Sequence, residues 1–179
     1  MPYASLAELG KRYMSLFCVL TRSLSRRMVY IASVDPLAPP AIDPNDFASK
    51  TDLALVVRVV QLALKVYGTP LLADHVTKTL LPPPDPLAKG EEGICEYVKA
   101  NSGPVSHPVG TVAMMPREDG GVAVDLSLKV YGTSNVRVVD CSIMPLELSC
   151  HTQSFAYAIG GRGHPKKQRL RASEPSIIK

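Results

Sequence analysis

The chain changes character at the tetrapeptide Asn101-Ser102-Gly103-Pro104. Before it, apolar residues recur at helical spacing, whereas after it short β-branched runs alternate with turn residues. Sixteen prolines are spread over both parts, which favours long irregular connections between elements. A helical part followed by a strand-like part predicts an α+β fold, in which a mostly antiparallel sheet is flanked by helices.

Three helices are predicted in the first part. The first begins at Ser49 or Thr51 and ends at Tyr67-Gly68, because the apolar residues between them recur every three or four positions. A second helix is predicted over residues 70–80, and the run of prolines at 82–84 is expected to stop it. A third, over residues 91–100, has acidic residues first and a lysine near its end, which is the order that the helix dipole favours.

Strands are predicted where β-branched and apolar residues are bounded by turn residues, over residues 28–33, 109–115, 122–124 and 136–139. A last helix begins near Thr152 and is predicted to break at Gly160-Gly161-Arg162-Gly163, because paired glycines usually interrupt a helix.

The net charge of +4 conceals an uneven distribution. Residues 28–160 carry nine Lys/Arg against fourteen Asp/Glu, whereas the two ends carry eleven Lys/Arg against two Asp/Glu. Nucleic-acid binding requires a basic face on the folded part of a protein, so no nucleic-acid partner is predicted. The basic ends, residues 1–26 and 161–179, are expected to be poorly ordered segments beside one domain at residues 27–160.

Neither a membrane segment nor a metal site is predicted. No stretch approaches the ~20 apolar residues of a membrane helix. The four cysteines show no CxxC spacing. A zinc site is conceivable only by combining Cys141 and Cys150 with His107 and His151, and this set lacks the close ligand pairs of structural zinc sites. The spacing indicates no disulfide framework and leaves the pairing of cysteines open.

Two histidines lie in unusual short contexts. His107 opens the run HPVGT at 107–111, His151 lies in SCHTQ at 149–153, and NVRVVDCSIMP stands between them at 135–145. Oxidation of an alcohol removes a proton from oxygen and a hydride from carbon. A neutral imidazole, with an unperturbed pKa of ~6.5, is suited to accept the proton, and a second imidazole can orient the hydroxyl. No side chain accepts a hydride, so this chemistry requires a cofactor.

These three segments, in this order, resemble the C-terminal signature of the glucose-methanol-choline (GMC) oxidoreductases, most closely the aryl-alcohol oxidase and glucose oxidase branch. The resemblance covers about residues 27–159. It implies the C-terminal domain of a flavoenzyme that transfers a hydride from a small alcohol to FAD.

The resemblance also implies roles for individual residues. His107 corresponds to the family's base, and His151 to the second position, which holds the substrate hydroxyl. Asp140 corresponds to the acidic residue near the ribityl and phosphate part of the flavin. Thr152 and Gln153 correspond to the pair near its pyrimidine end.

The sequence contains no GxGxxG motif, the Gly-rich turn with which a Rossmann domain holds a pyrophosphate. By the resemblance, the FAD-binding domain is absent from this sequence and is either missing or a separate partner, so the isolated chain is not expected to retain FAD. The alternative is a non-catalytic remnant of the family with at most a binding role. A hydrolase that uses Ser149 or Ser154 with His151 is disfavoured, because no GxSxG elbow is present.

Overall fold

A computed structural model describes residues 8–119 and 123–163. The chain divides into two compact units. The first is formed by the chain up to Arg27 and by Pro44–Gly103, and the second by Met28–Asp43 and by the chain from Pro104 onward. The segments of each unit are therefore interleaved along the sequence.

The first unit is helical, with α1 at Lys50–Tyr67, α2 at Pro70–Ala73, α3 at Pro84–Ala88 and α4 at Gly90–Asn101. The predictions of α1 and α4 are confirmed. The prediction of a helix over residues 70–80 is wrong beyond Ala73, where α2 ends. The β-branched residues that follow Ala73 have low helix propensity. The proline run that follows opens α3, since proline is tolerated in the first helical turn.

The core of the first unit lies between α1 and α4. Val57 of α1 packs with Ile94 and Val98 of α4, and all three are buried. Gly93 faces the backbone carbonyl of Pro86 so closely that a Cβ atom on Gly93 would overlap it. The close packing of α4 on α3 therefore requires glycine at this position.

Asp52, in the first turn of α1, anchors the preceding segment of the chain. Its side chain is 2% exposed and accepts hydrogen bonds from the backbone N–H of Leu24 (2.9 Å) and of Ser25 (2.7 Å), and from the Ser25 hydroxyl (2.5 Å). Burial by itself raises the pKa of the Asp52 carboxyl, but these hydrogen bonds and the charge of Arg26 outweigh burial and hold the pKa below its ordinary value. The Ser25 hydroxyl also accepts from the backbone N–H of Ser49, at the start of α1.

The second unit contains a two-stranded antiparallel sheet, formed by β1 at Met28–Tyr30 and β2 at Ala41–Asp43. Met28 pairs with Asp43 and Tyr30 with Ala41. The strand predicted over residues 28–33 is thus confirmed in its first half. Within the described residues this small sheet replaces the mostly antiparallel sheet that the sequence predicted.

The other predicted strands, over residues 109–115 and 136–139, are wrong as strands, as is the described part, residues 123 and 124, of the strand predicted over 122–124. In the described residues they form only isolated bridges, which pair Met114 with Val124, Val124 with Val130, and Lys129 with Arg137. Turns separate these bridges after one or two hydrogen bonds, so continuous ladders do not develop.

The core of the second unit consists of Val124, Leu128 and Ile143, which are 0%, 0% and 3% exposed. The last helix, α5, runs over Gln153–Gly163, so the predicted break at Gly160 is wrong. Ile159 of α5 packs against this core, and a Cβ atom on Gly163 would overlap the side chain of Val139. These contacts offset the cost of glycine in a helix, about 1 kcal/mol per residue.

Within residues 8–119 and 123–163, no helix is both long and apolar enough to cross a bilayer. Of the ends predicted to be poorly ordered, residues 1–7 and 164–179 lie outside the described residues. Residues 8–26 and 161–163 are described: Leu24 and Ser25 are hydrogen-bonded to Asp52, and residues 161–163 belong to the last helix.

Candidate active site

The loop that carries His107 is shaped by two residues with left-handed backbone. Ser106, directly before the histidine, has φ +59°, and Gly110, three residues after it, has φ +81°. A non-glycine residue in this region is uncommon and often marks a functional loop. The loop leads into two backbone hydrogen bonds, from Val112 N–H to the Ser142 carbonyl (3.0 Å) and from Met114 N–H to the Ile143 carbonyl (2.8 Å).

The acceptors of these two bonds belong to a 3₁₀ turn at Cys141–Ile143, here named the bracket turn. Asp140 caps its start, because the Asp140 Oδ1 accepts a hydrogen bond from the Ser142 N–H at 2.8 Å. Met144 follows the turn and is buried. The bracket turn therefore lies against the loop of the first histidine.

The bracket turn also contacts the segment of the second histidine. The Cys141 thiol lies 3.8 Å from the Thr152 carbonyl, within the range of a weak sulfur hydrogen bond. The same carbonyl accepts the N–H of Ala156 at 2.9 Å, which ties it to the first turn of α5. His151 directly precedes Thr152, so both histidine segments are held by one turn.

The two imidazoles meet at the end of these segments. The His107 Nε2 lies 2.8 Å from the His151 Nδ1, although 44 positions separate the residues. The ring centroids are 5.0 Å apart and the ring planes are inclined by 72°, an edge-to-face arrangement. His107 is partly buried and His151 is exposed. In this contact one nitrogen donates and the other accepts, so the tautomers of the two rings are linked.

The structure brings His107 and His151 into direct contact and places Asp140 and Thr152 at the bracket turn between their segments. Gln153 is exposed and is the first residue of α5.

Sequence reasoning did not predict that the bracket turn contacts the segments of both histidines. The signal of the turn is the Asp-x-Ser spacing at Asp140 and Ser142, because an Asp side chain commonly accepts the N–H two residues on. The Ser142 hydroxyl is buried and has no hydrogen-bond partner within the described residues. Gly110 was also missed as a structural element of the loop.

No group of three or more His, Cys, Asp or Glu side chains in the described part of the chain is arranged to hold a metal ion. The four cysteines are free thiols, and burial raises the pKa of Cys18.

Residues 23–160 match a family model of the C-terminal part of this group of flavoenzymes, described as GMC oxidoreductase. The chain belongs to the GMC oxidoreductase family. Members of this family are FAD-dependent oxidoreductases, and the helices and small antiparallel sheet seen here are those of the family's C-terminal domain. The resemblance inferred from the three motifs is thereby confirmed.

Individual relatives agree with this assignment. The chain is 40% identical over 145 residues to the GMC oxidoreductase family protein Mala s 12 of Malassezia sympodialis, covering 81% of this chain and 23% of that protein. It is 32% identical over 135 residues to a pyranose dehydrogenase of Agaricus xanthodermus, covering 75% of this chain and 22% of the enzyme.

Solved structures of the GMC family superpose on this chain as well. A fungal aryl-alcohol oxidase matches 80% of this chain and 23% of its own, with a TM-score of 0.71 and 34% identity. An FAD-dependent oxidoreductase from Chaetomium thermophilum matches 85% of this chain and 26% of its own, with a TM-score of 0.75 and 25% identity. The chain thus spans about a quarter of the length of the relatives it matches.

Proposed function

We propose that this chain supplies the two catalytic histidines of an FAD-dependent oxidoreductase that acts on the CH–OH group of a small alcohol. The observation that carries the proposal is the 2.8 Å contact between the His107 Nε2 and the His151 Nδ1. Two ring nitrogens that converge from distant segments can both reach one substrate oxygen. Such convergence is the geometry that general acid–base catalysis needs.

His107 acts as the base in this proposal. To accept a proton at Nε2, the His107 ring must carry its own proton on Nδ1 and present a lone pair at Nε2. His151 then donates from its Nδ1–H in the observed contact. When an alcohol enters, its oxygen takes the place of His151 as the partner of the His107 Nε2, and its hydroxyl proton passes to that nitrogen.

His151 orients the substrate. Its Nδ1–H, released from His107, donates to the alcohol oxygen and stabilises the negative charge that develops there as the proton leaves. The same hydrogen bond fixes the oxygen and directs the substrate carbon. His151 is exposed in this chain, so exclusion of water from the site falls to another part of the complete enzyme or to the substrate.

The residues beside the histidines fit FAD. Asp140 is exposed, and its Oδ2 makes no hydrogen bond within the described residues, so it is free to accept from ribityl hydroxyls. Thr152 and Gln153 lie where α5 begins, and the first N–H groups of a helix lack intrahelical partners and favour negative charge. These donors suit the carbonyl groups of the pyrimidine ring. Bound FAD supplies the hydride acceptor that no side chain can provide.

The substrate class proposed is a small alcohol, and the FAD-binding domain is proposed to come from outside the 179 residues of this chain. The names of the relatives include an aryl-alcohol oxidase and a pyranose dehydrogenase. Aromatic alcohols and cyclic sugars are therefore the first substrates to test.

The proposal is tested with a chimaera in which this chain replaces the matching segment of the Malassezia protein, to which it is 40% identical. The chimaera is mixed anaerobically with aromatic alcohols, aliphatic alcohols and aldoses, and the oxidised flavin band is followed. We expect at least one alcohol to bleach the flavin, and we expect no bleaching when His107 is replaced by Ala. A chimaera that holds FAD but is reduced by no alcohol would support the alternative of a non-catalytic binding role.

A further inference from the structure

Gly110 lies at the closest approach of the His107 loop to the segment that follows the bracket turn. Its φ is +81°, and a Cβ atom at this position would lie 3.1 Å from the Met144 carbonyl oxygen, closer than ordinary van der Waals contact. Met144 is 7% exposed and continues directly from the bracket turn, so its carbonyl has little freedom to retreat. Glycine adopts this backbone conformation without strain and also avoids this contact.

The contact lies on the path that connects the two histidines. From Gly110 the chain continues to Val112, which donates to the Ser142 carbonyl of the bracket turn at 3.0 Å. The same turn contacts the Thr152 carbonyl through Cys141, and Thr152 follows His151. A displacement at Gly110 therefore moves His107 relative to a turn that holds His151.

We propose that Gly110 is a positioning residue, whose missing side chain lets the His107 loop close on Met144 and thereby sets the distance between the two imidazoles. The consequence for catalysis rests on the function proposed above. The effect on the imidazole contact does not depend on that function, because the contact lies within this chain and can be measured in it.

The chain offers a matched control. Gly132 lies in the same unit and has φ +79°, but a Cβ atom built there meets nothing within 4 Å. Gly110→Ala and Gly132→Ala thus introduce the same left-handed backbone cost, and only the first adds the contact with Met144. Gly110→Asn is a third variant, because Asn tolerates the left-handed region while still carrying a Cβ atom.

The first measurement is made on the full chain without cofactor. Imidazole nitrogen chemical shifts of His107 and His151 report the hydrogen bond and the tautomers, and chemical denaturation reports folding. We expect Gly110→Ala and Gly110→Asn to lose the hydrogen-bonded shifts that the parent shows, and Gly132→Ala to keep them. If Gly110→Ala does not fold, the imidazole shifts of Gly110→Asn alone decide whether Gly110 sets the contact, since Asn strains the left-handed backbone less.

The second measurement uses the chimaera. A displacement of about 1 Å can lower a rate about 10²-fold. A Cβ atom 3.1 Å from the Met144 carbonyl oxygen requires a shift of a few tenths of an ångström, so Gly110→Ala is expected to slow flavin reduction by less than that factor, with a smaller change in the alcohol concentration at half-maximal rate. Folded Gly110 variants with parental imidazole shifts would overturn the proposal, as would equal loss of those shifts in Gly132→Ala. If the Gly110 variants of the isolated chain lose the shifts while the parent chimaera is not reduced by any alcohol, the positioning role is upheld and the proposed function is refuted.

Discussion

Replacement of Asp140 separates its structural contribution from its proposed contact with the cofactor. The Asp140 Oδ1 accepts the Ser142 N–H at 2.8 Å and is the only side-chain cap that the described residues give the bracket turn. Loss of such a cap costs about 1 kcal/mol. Asp140→Ala is therefore expected to lower the free energy of unfolding by about 1 kcal/mol, whereas Asp140→Asn, which keeps an acceptor oxygen, is expected to change it by only a few tenths. Urea denaturation of the isolated chain measures both values.

The same two variants in the chimaera test the cofactor contact. A hydrogen bond to a charged group contributes about 1 kcal/mol more than one to a neutral group, which corresponds to a factor of about five in affinity. Asp140→Asn is therefore expected to weaken FAD binding about fivefold with unchanged stability. Equal destabilisation by Asn and Ala would refute the capping role, and unchanged FAD affinity in Asp140→Asn would refute the cofactor contact.

Three further outcomes are expected. The pKa of Asp52 is lowered in the folded chain, so the contribution of the Asp52 carboxylate to stability is complete above the ordinary carboxyl pKa of 3.8 and is lost as the pH falls through the lowered value. Asp52→Asn is therefore expected to reduce the loss of stability at acid pH, measured by denaturation from pH 2 to 6. A variant with the same pH dependence as the parent would contradict this expectation. The isolated chain is expected to be colourless after desalting, because it contains no GxGxxG turn to hold a pyrophosphate, and a stoichiometric flavin spectrum would show this reasoning to be wrong. Limited trypsin digestion is expected to trim the basic ends before it cuts α1 at Arg58 or Lys65, and early cleavage inside α1 would count against the predicted disorder of the ends.

Local signals predicted the helices that carry them. α1 has helical apolar spacing, a Ser at its start and a Gly after its end, and α4 has acidic residues in its first turn and a lysine in its last. Both helices also share a core through Val57 and Ile94, so propensity and packing agree. α5 shows the opposite case, since its glycines predicted a break that packing of Ile159 overrides.

Non-local features were beyond the reach of pattern reasoning. The β-branched runs after Pro104 predicted strands, but in the described residues they surround Val124 and Leu128 as short bridged turns. Sequence periodicity does not show whether a strand-like run pairs with a neighbouring strand or how long that pairing is. The approach of His107 to His151 could be expected only from the roles that the family resemblance implies, because the two residues are 44 positions apart and meet through the bracket turn.

The central claim is that His107 removes the hydroxyl proton while His151 holds the substrate oxygen. It is tested most directly by the rate at which an alcohol reduces the flavin of the chimaera under anaerobic conditions, compared among the parent, His107→Ala and His151→Asn. A positioned base contributes about 10²–10⁴-fold, so His107→Ala is expected to lose a factor in this range, whereas the amide of His151→Asn can still donate to the oxygen and is expected to lose less. A greater loss in His151→Asn than in His107→Ala would contradict this assignment of base and orienting residue.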